Sequence, residues 1–226
     1  MYIPKDAILM LSGVSCTGKT TAAYEIVKNY PVFRRVSEFD LLRTVVRTAY
    51  EHLAEEAYID KEELISKYSA LFASITSSNF ETTKLQSEQL LPYVKEIILR
   101  QQRRRIPTVI EGAGIVPNTY FPNNQPLAWL NNHVLFINLY ISDEEEHISR
   151  RKSRSEERDY NESNNKTEMI ISQSRAEKNE LLHMQANKLH QIFKNVFSLD
   201  VSSCAPNLVA NKIMGLIFGY FNNYIE

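Results

Sequence analysis

Gly13-Val14-Ser15-Cys16-Thr17-Gly18-Lys19-Thr20, entered from the apolar run Ala7-Ile8-Leu9-Met10-Leu11, is the stretch that decides the fold. It fits G-x-x-x-x-G-K-[ST]. Gly13 and Gly18 let the backbone curl so that successive N–H groups face a phosphate. Val14, Ser15, Cys16 and Thr17 carry those amides, Lys19 reaches the terminal phosphates, and the Thr20 hydroxyl suits Mg²⁺. Thr21 completes the nucleotide-binding set, on a helix whose positive end points at the anion. Chance gives this pattern in about one of a hundred chains of this length. Here only 6 glycines are present, and four of them stand at 13, 18, 112 and 114. A strand before the loop and a helical pattern from Lys19 to Lys28 after it are the context that the motif needs.

Outward from the loop, strands and helices alternate. Phe33 to Phe39 reads as a second short strand, and Leu41 to Arg105 as helical, with a joint at Ser77-Ser78-Asn79 and Pro92 starting or kinking a helix. Pro107 to Glu111 reads as a strand ending in Gly112, and Asn118 to Pro126 as a loop. Val134 to Ile141 is too apolar for a half-exposed strand, which suits a parallel sheet covered on both faces. Ser142 and Glu145 form a capping-box pattern for the next helix. The polar segment from Arg150 to Lys166 reads as a mobile surface lid, Thr167 to Phe197 as helix, Ser198 to Ser202 as a last strand, and Pro206 to Tyr220 as a closing helix. The expected fold class is α/β: a three-layer P-loop NTPase sandwich with a mostly parallel five-stranded sheet, in one domain over 1–226. A helical insertion is expected at about 45–105 and a lid at about 150–166.

Composition bounds the function. Among 226 residues, Lys plus Arg is 26 and Asp plus Glu is 27, a formal charge of −1. That balance argues against a general nucleic-acid partner, which needs a basic face. The apolar runs are too short for a membrane span or a signal peptide. Two cysteines, Cys16 and Cys204, make neither a disulfide framework nor a zinc site. A cytoplasmic protein is expected, with the oligomeric state left open. A guanine-reading Asn-Lys-x-Asp is missing: Asn165-Lys166-Thr167-Glu168 ends in the wrong acid. ATP with Mg²⁺ is therefore the expected pair.

Three further groups carry chemistry. Asp40 follows the second strand, where a carboxylate can hold an acceptor hydroxyl and take its proton, or simply cap a helix. Arg43 and Arg47 share a helix face at i, i+4 and can grip an anionic acceptor, unless Glu38 and Glu51 pair with them. Glu111, before Gly112, ends a buried strand, where it can sit beside Mg²⁺ or orient the acceptor, or else face solvent. Arg150 and Arg154, with Arg151 and Arg158 nearby, are lid cations fit to neutralise a transferring phosphoryl group, or a solvated helix face. His147 has no metal-binding spacing. Arg103-Arg104-Arg105 reads as a helix C-terminus.

In this order, the blocks resemble the 2-phosphoglycerate kinase-like group of P-loop kinases. They are the phosphate loop, Asp40-Leu41-Leu42-Arg43 with Arg47, Ile110-Glu111-Gly112-Ala113-Gly114-Ile115-Val116-Pro117, Asp143 with His147-x-x-Arg150-x-x-x-Arg154, and Ser174-Arg175. Zeta-toxin-like and antibiotic-modifying phosphotransferases share the plan. The chain departs from the group's pattern in having Phe39 for Thr, Gly114 for His, Asn118 for Gly and Arg151 for Phe. The resemblance implies an ATP- and Mg²⁺-dependent kinase acting on a hydroxyl of a small, anionic acceptor. In it Lys19, Asp40, Arg150 and Arg154 are catalytic, Arg43, Arg47, Glu111 and Gly112 bind acceptor, and Thr20 and Glu111 hold the metal. A nucleotide-dependent regulatory module using the same cleft is the non-enzyme alternative.

Overall fold

The computed structural model describes residues 2–57, 60–74, 79–156 and 165–223. In chain order the elements are β1 (Ile8–Ser12), α1 (Lys19–Asn29), β2 (Arg35–Glu38), α2 (Phe39–Glu56), α3 (Lys61–Lys67), α4 (Ser69–Phe72) and α5 (Phe80–Arg104). After these come β3 (Thr108–Glu111), α6 (Pro117–Tyr120), a short 3-10 turn at Pro122–Asn124, β4 (Val134–Tyr140), α7 (Glu144–Glu156), α8 (Asn165–His190), β5 (Val196–Asp200) and α9 (Pro206–Asn223). The strands form one sheet in the order β2-β3-β1-β4-β5. Every neighbouring pair is parallel. The fold is thus the expected P-loop NTPase sandwich of helix, parallel sheet and helix.

Alternation along the central strands explains the layers. Leu9 and Leu11 of β1 with Leu135, Ile137 and Leu139 of β4 pack beneath α1 and α9, against Ile26, Ile213 and Ile217. Ile8, Met10, Ile110 and Phe136 face the other way, against Leu90, Val94 and Ile98 of α5 and Ala186 and Leu189 of α8. A fully buried Leu or Ile stabilises by about 1.5–3 kcal/mol, so two filled faces hold the sheet rigid. Asn138 interrupts the apolar run of β4; it is buried, with its Oδ1 accepting the Ser12 hydroxyl at 2.9 Å. All five strands end at the same edge, where ligands of open parallel sheets bind.

Several local expectations are corrected. The second strand, Arg35–Glu38, does lie within 33–39, with α2 starting at Phe39. Pro92 lies inside α5 and starts no helix. Pro117 initiates the four-residue α6 where a loop is expected. The α7 cap is Asp143, whose Oδ1 accepts Glu146 N–H at 3.1 Å, while the Ser142 hydroxyl is turned to Asp200. The helix before the last strand ends at His190, and that strand is Val196–Asp200. Apolar Ile192, Phe193 and Val196 continue the helical spacing through a turn, which hides the boundary. Arg105 does end α5, as a left-handed cap at φ 53°. Ser77, Ser78 and Arg158 lie outside the described residues, as does the 157–164 part of the expected lid.

Candidate active site

The phosphate loop joins β1 to α1. Gly13 sits at φ +136° and Gly18 at φ +82°, both in the region that favours glycine. A Cβ on Gly13 would also press into the Leu139 carbonyl of the neighbouring strand. Cys16 takes the left-handed conformation too, at φ 69°. The Thr17 hydroxyl donates to Val14 O at 3.0 Å and braces the curl from inside. Lys19 Nζ lies at its centre, donating to Val14 O at 2.7 Å and Thr17 Oγ1 at 3.4 Å. Burial pulls the Lys19 ammonium below its ordinary value, against the opposing fields of Glu111 and Asp40. A buried cation among turned-in amides is a cradle for a polyanion.

Three acids stand at the neighbouring strand ends. Thr20 Oγ1 donates to Glu111 Oε1 at 3.0 Å. Glu111 is 5% exposed, so it is not a strand-end acid in solvent. Burial raises its pKa, while Lys19 and the Thr20 hydrogen bond pull it back. Glu38 is the register neighbour of Glu111 and accepts the Tyr24 hydroxyl at 2.6 Å. Asp40 is exposed in the first turn of α2. The cap position belongs to Glu38, with no side-chain cap bond, so Asp40 is no N-cap. Its charge instead acts on both Lys19 and Glu111. Among the described residues no three His, Cys, Asp or Glu side chains gather to hold a metal by themselves. The hydroxyl and carboxylate oxygens of Thr20 and Glu111 fit Mg²⁺, which takes one or two protein oxygens and completes its shell with phosphates and water.

Arg43 and Arg47 lie on α2 beyond Asp40. Arg43 Nη1 donates to Ala73 O at 2.7 Å, just past α4, and Gln86 Nε2 donates to the same carbonyl at 2.9 Å. Nε of Arg43 and Nε of Arg47 are buried with no hydrogen-bond partner among the described residues. Burial lowers the Arg43 pKa, Asp40 opposes, and Arg47 adds to the lowering. Glu38 is occupied by Tyr24, and neither arginine has a carboxylate ion pair among the described residues.

The expected lid arginines part company. Arg150 Nε and Nη2 donate to Glu146 Oε1 at 2.9 and 2.6 Å, and Nη2 reaches Val201 O at 2.8 Å. Its guanidinium is therefore held by Glu146 of α7 and by the loop between β5 and α9. Glu146 Oε2 accepts Ser203 N–H at 2.6 Å from the same loop. Arg154 is the one at the phosphate loop, with Nη1 3.4 Å from Ser15 Oγ. His147 joins it there through Nε2, 2.9 Å from Ser15 O. Burial lowers the His147 pKa and this backbone bond opposes. Lys19, Thr20, Asp40, Glu111 and Arg154 thus stand together around the phosphate loop.

Sequence reasoning gives no role to two buried residues. Lys178 on α8 is buried, and desolvation with the Arg175 charge brings it down to about 8. Phe39 is buried against Gly112 and Gly114. A helical spacing of Arg175, Lys178 and Leu182 marks Lys178 as inward-facing, a signal present in the chain. Phe39 is marked in the chain only as a departure from the resembled pattern.

No family model and no curated protein matches the chain. Among solved structures, shikimate kinase from Acinetobacter baumannii in complex with shikimate is similar, at 16% identity over 96% of this chain and 94% of that one, with a TM-score of 0.49. TT1252 from Thermus thermophilus is similar at 17% identity over 95% and 97%, also with a TM-score of 0.49. The chemistry at the cleft stands on its own residues.

Proposed function

We propose that the protein is an ATP-dependent small-molecule kinase that transfers the γ-phosphoryl group to a hydroxyl of a small anionic acceptor. The observation that carries this is the convergence of Lys19, Thr20, Glu111 and Asp40 at the sheet edge, with the Thr20–Glu111 contact at its centre. The loop amides and Lys19 hold the β- and γ-phosphates of ATP. Thr20 and Glu111 would hold Mg²⁺, which when bound neutralises charge on the phosphate oxygens. Asp40, in the opening turn of α2, accepts the proton of the attacking hydroxyl. Arg154 covers the phosphates from α7. Arg43 and Arg47 are half-buried cations that form no ion pair with a carboxylate among the described residues, which favours a phosphate or carboxylate on the acceptor. The resemblance to 2-phosphoglycerate kinases points the same way.

The test is ADP formation from ATP·Mg²⁺ with a panel of hydroxyl acceptors in matched neutral and phosphorylated or carboxylated forms. A kinase of this type shows acceptor-dependent ADP formation with the anionic members. Nucleotide binding without ADP formation across the panel would leave the cleft a regulatory switch and end the kinase reading.

A further inference from the structure

Gly112 and Gly114 follow the buried strand β3, yet neither is among the glycines with positive φ. Their backbones accept any residue, so glycine is there for space. What fills the space is Phe39, which is 1% exposed. A Cβ on Gly112 would meet Phe39 Cβ and lie 3.2 Å from Cγ. A Cβ on Gly114 would meet Cε1 and lie 2.9 Å from Cδ1 and 3.3 Å from Cζ. One ring is thus seated against two positions of the β3–α6 loop, and aromatic interiors at this density do not slide.

The neighbours of the three residues give the seat its meaning. Phe39 stands directly between Glu38 and Asp40, and Gly112 directly after Glu111. Register already sets Glu38 beside Glu111, so the ring crosses the strand ends one residue beyond that pair. It is the bolt between α2, which carries Asp40, Arg43 and Arg47, and β3, which carries Glu111. We infer that Phe39, with Gly112 and Gly114 as its seat, is a positioning residue that fixes the gap between the acceptor side and the metal side of the cleft. The inference rests on the kinase reading above and adds to it the device that sets the transfer distance. Transfer is sensitive to that gap, since a misplacement of about 1 Å costs about 10²-fold in rate.

The experiment is a double-substitution cycle with Gly114→Ala and Phe39→Leu, singly and together. The probes are ADP formation from ATP·Mg²⁺, with water and with the acceptor panel, and the dissociation constant for trinitrophenyl-ATP. Gly114→Ala pushes the ring aside and lowers the rate at saturating ATP by at least about tenfold. Binding of the ATP analogue stays within about twofold, because the phosphate loop is untouched. Phe39→Leu removes Cε1 and Cζ, two of the three atoms nearest the new methyl, and leaves a smaller side chain that can turn its Cδ atoms aside, so the double variant returns to within about threefold of Phe39→Leu alone. Phe39→Leu by itself loosens the bolt and lowers the rate about fivefold at unchanged analogue affinity, which decides the matter where Gly114→Ala does not fold. Full activity in both single variants, or a Gly114→Ala loss that Phe39→Leu does not relieve, overturns the positioning role and leaves the kinase reading standing. A native chain that binds the analogue and forms no ADP under any condition overturns the kinase reading, and this inference with it.

Discussion

Thr20 and Glu111 lie on different elements, 91 positions apart, and meet at 3.0 Å through a hydroxyl that donates to a carboxylate. The contact joins the first turn of α1 to the end of β3 and sets two hard oxygens beside Lys19. Glu111→Gln keeps the acceptor oxygen for Thr20 but removes the charge. Mg²⁺-dependent ADP formation should fall about 10²-fold, with a higher Mg²⁺ requirement. Stability should move the other way. The folded protein holds the Glu111 proton more tightly than the unfolded chain, so native stability falls as pH rises from the ordinary carboxylate range through the raised pKa. The glutamine variant lacks this loss, and its melting temperature relative to the native protein should rise across that window. Melts at acidic and neutral pH check the sign.

Asp40→Asn separates proton acceptance from helix capping. Because Asp40 is not the cap, its helix loses only a charge–dipole contribution of about 0.5 kcal/mol. Turnover should drop about 10²–10⁴-fold with the melting temperature nearly unchanged. A fall in both together would return Asp40 to a structural role.

Lys19→Ala takes the buried cation out of the phosphate cradle. ATP-analogue binding should weaken and ADP formation should nearly vanish, by about 10³-fold or more. Equilibrium binding and turnover on one preparation check both. Turnover like the native protein's would sink the kinase proposal.

Much of this architecture is readable in the chain because it is local or periodic. The phosphate loop is a contiguous pattern, and the two-sided apolar character of 134–141 requires a covered parallel strand. What is hidden depends on contacts made at a distance. Arg150 and Arg154 are equivalent by spacing, yet Glu146 and the carbonyls of the β5–α9 loop claim the first and leave the second at Ser15. Phe39 and Gly114, two separate departures from the resembled pattern, touch each other, so one compensates for the other's shape. Nothing in their 75-residue separation announces that.

Arg150 and Arg154, both on α7, should therefore fail in different ways. Arg150→Gln strands Glu146 and frees the β5–α9 loop, costing about 1–3 kcal/mol. It should lower the melting temperature by several degrees. Arg154→Gln sits on an exposed turn and should leave the melt within about 1 °C while reducing turnover about 10²-fold or more. Calorimetry and turnover on both variants check the split. The reverse pattern would put Arg150 on the phosphates.

Arg43 and Arg47 give the prediction that bears most on the acceptor. Arg43 has a structural duty, since its Nη1 and Gln86 Nε2 together hold Ala73 O. Arg47 has no such bond among the described residues, and its Nε is buried without a partner. The two substitutions are therefore not equivalent. Arg47→Gln should raise the KM for an anionic acceptor about 10-fold or more, with the KM for ATP and the melting temperature nearly unchanged. Arg43→Gln should raise the acceptor KM as well, and should also destabilise by about 1 kcal/mol through the lost carbonyl bond. Inorganic sulfate, competing for the same guanidinium groups, should inhibit the proposed transfer by the native protein against the acceptor and lose that effect in both variants. An acceptor KM unchanged in Arg47→Gln would make the acceptor neutral at this end, and Arg43 then belongs to the α4 junction alone.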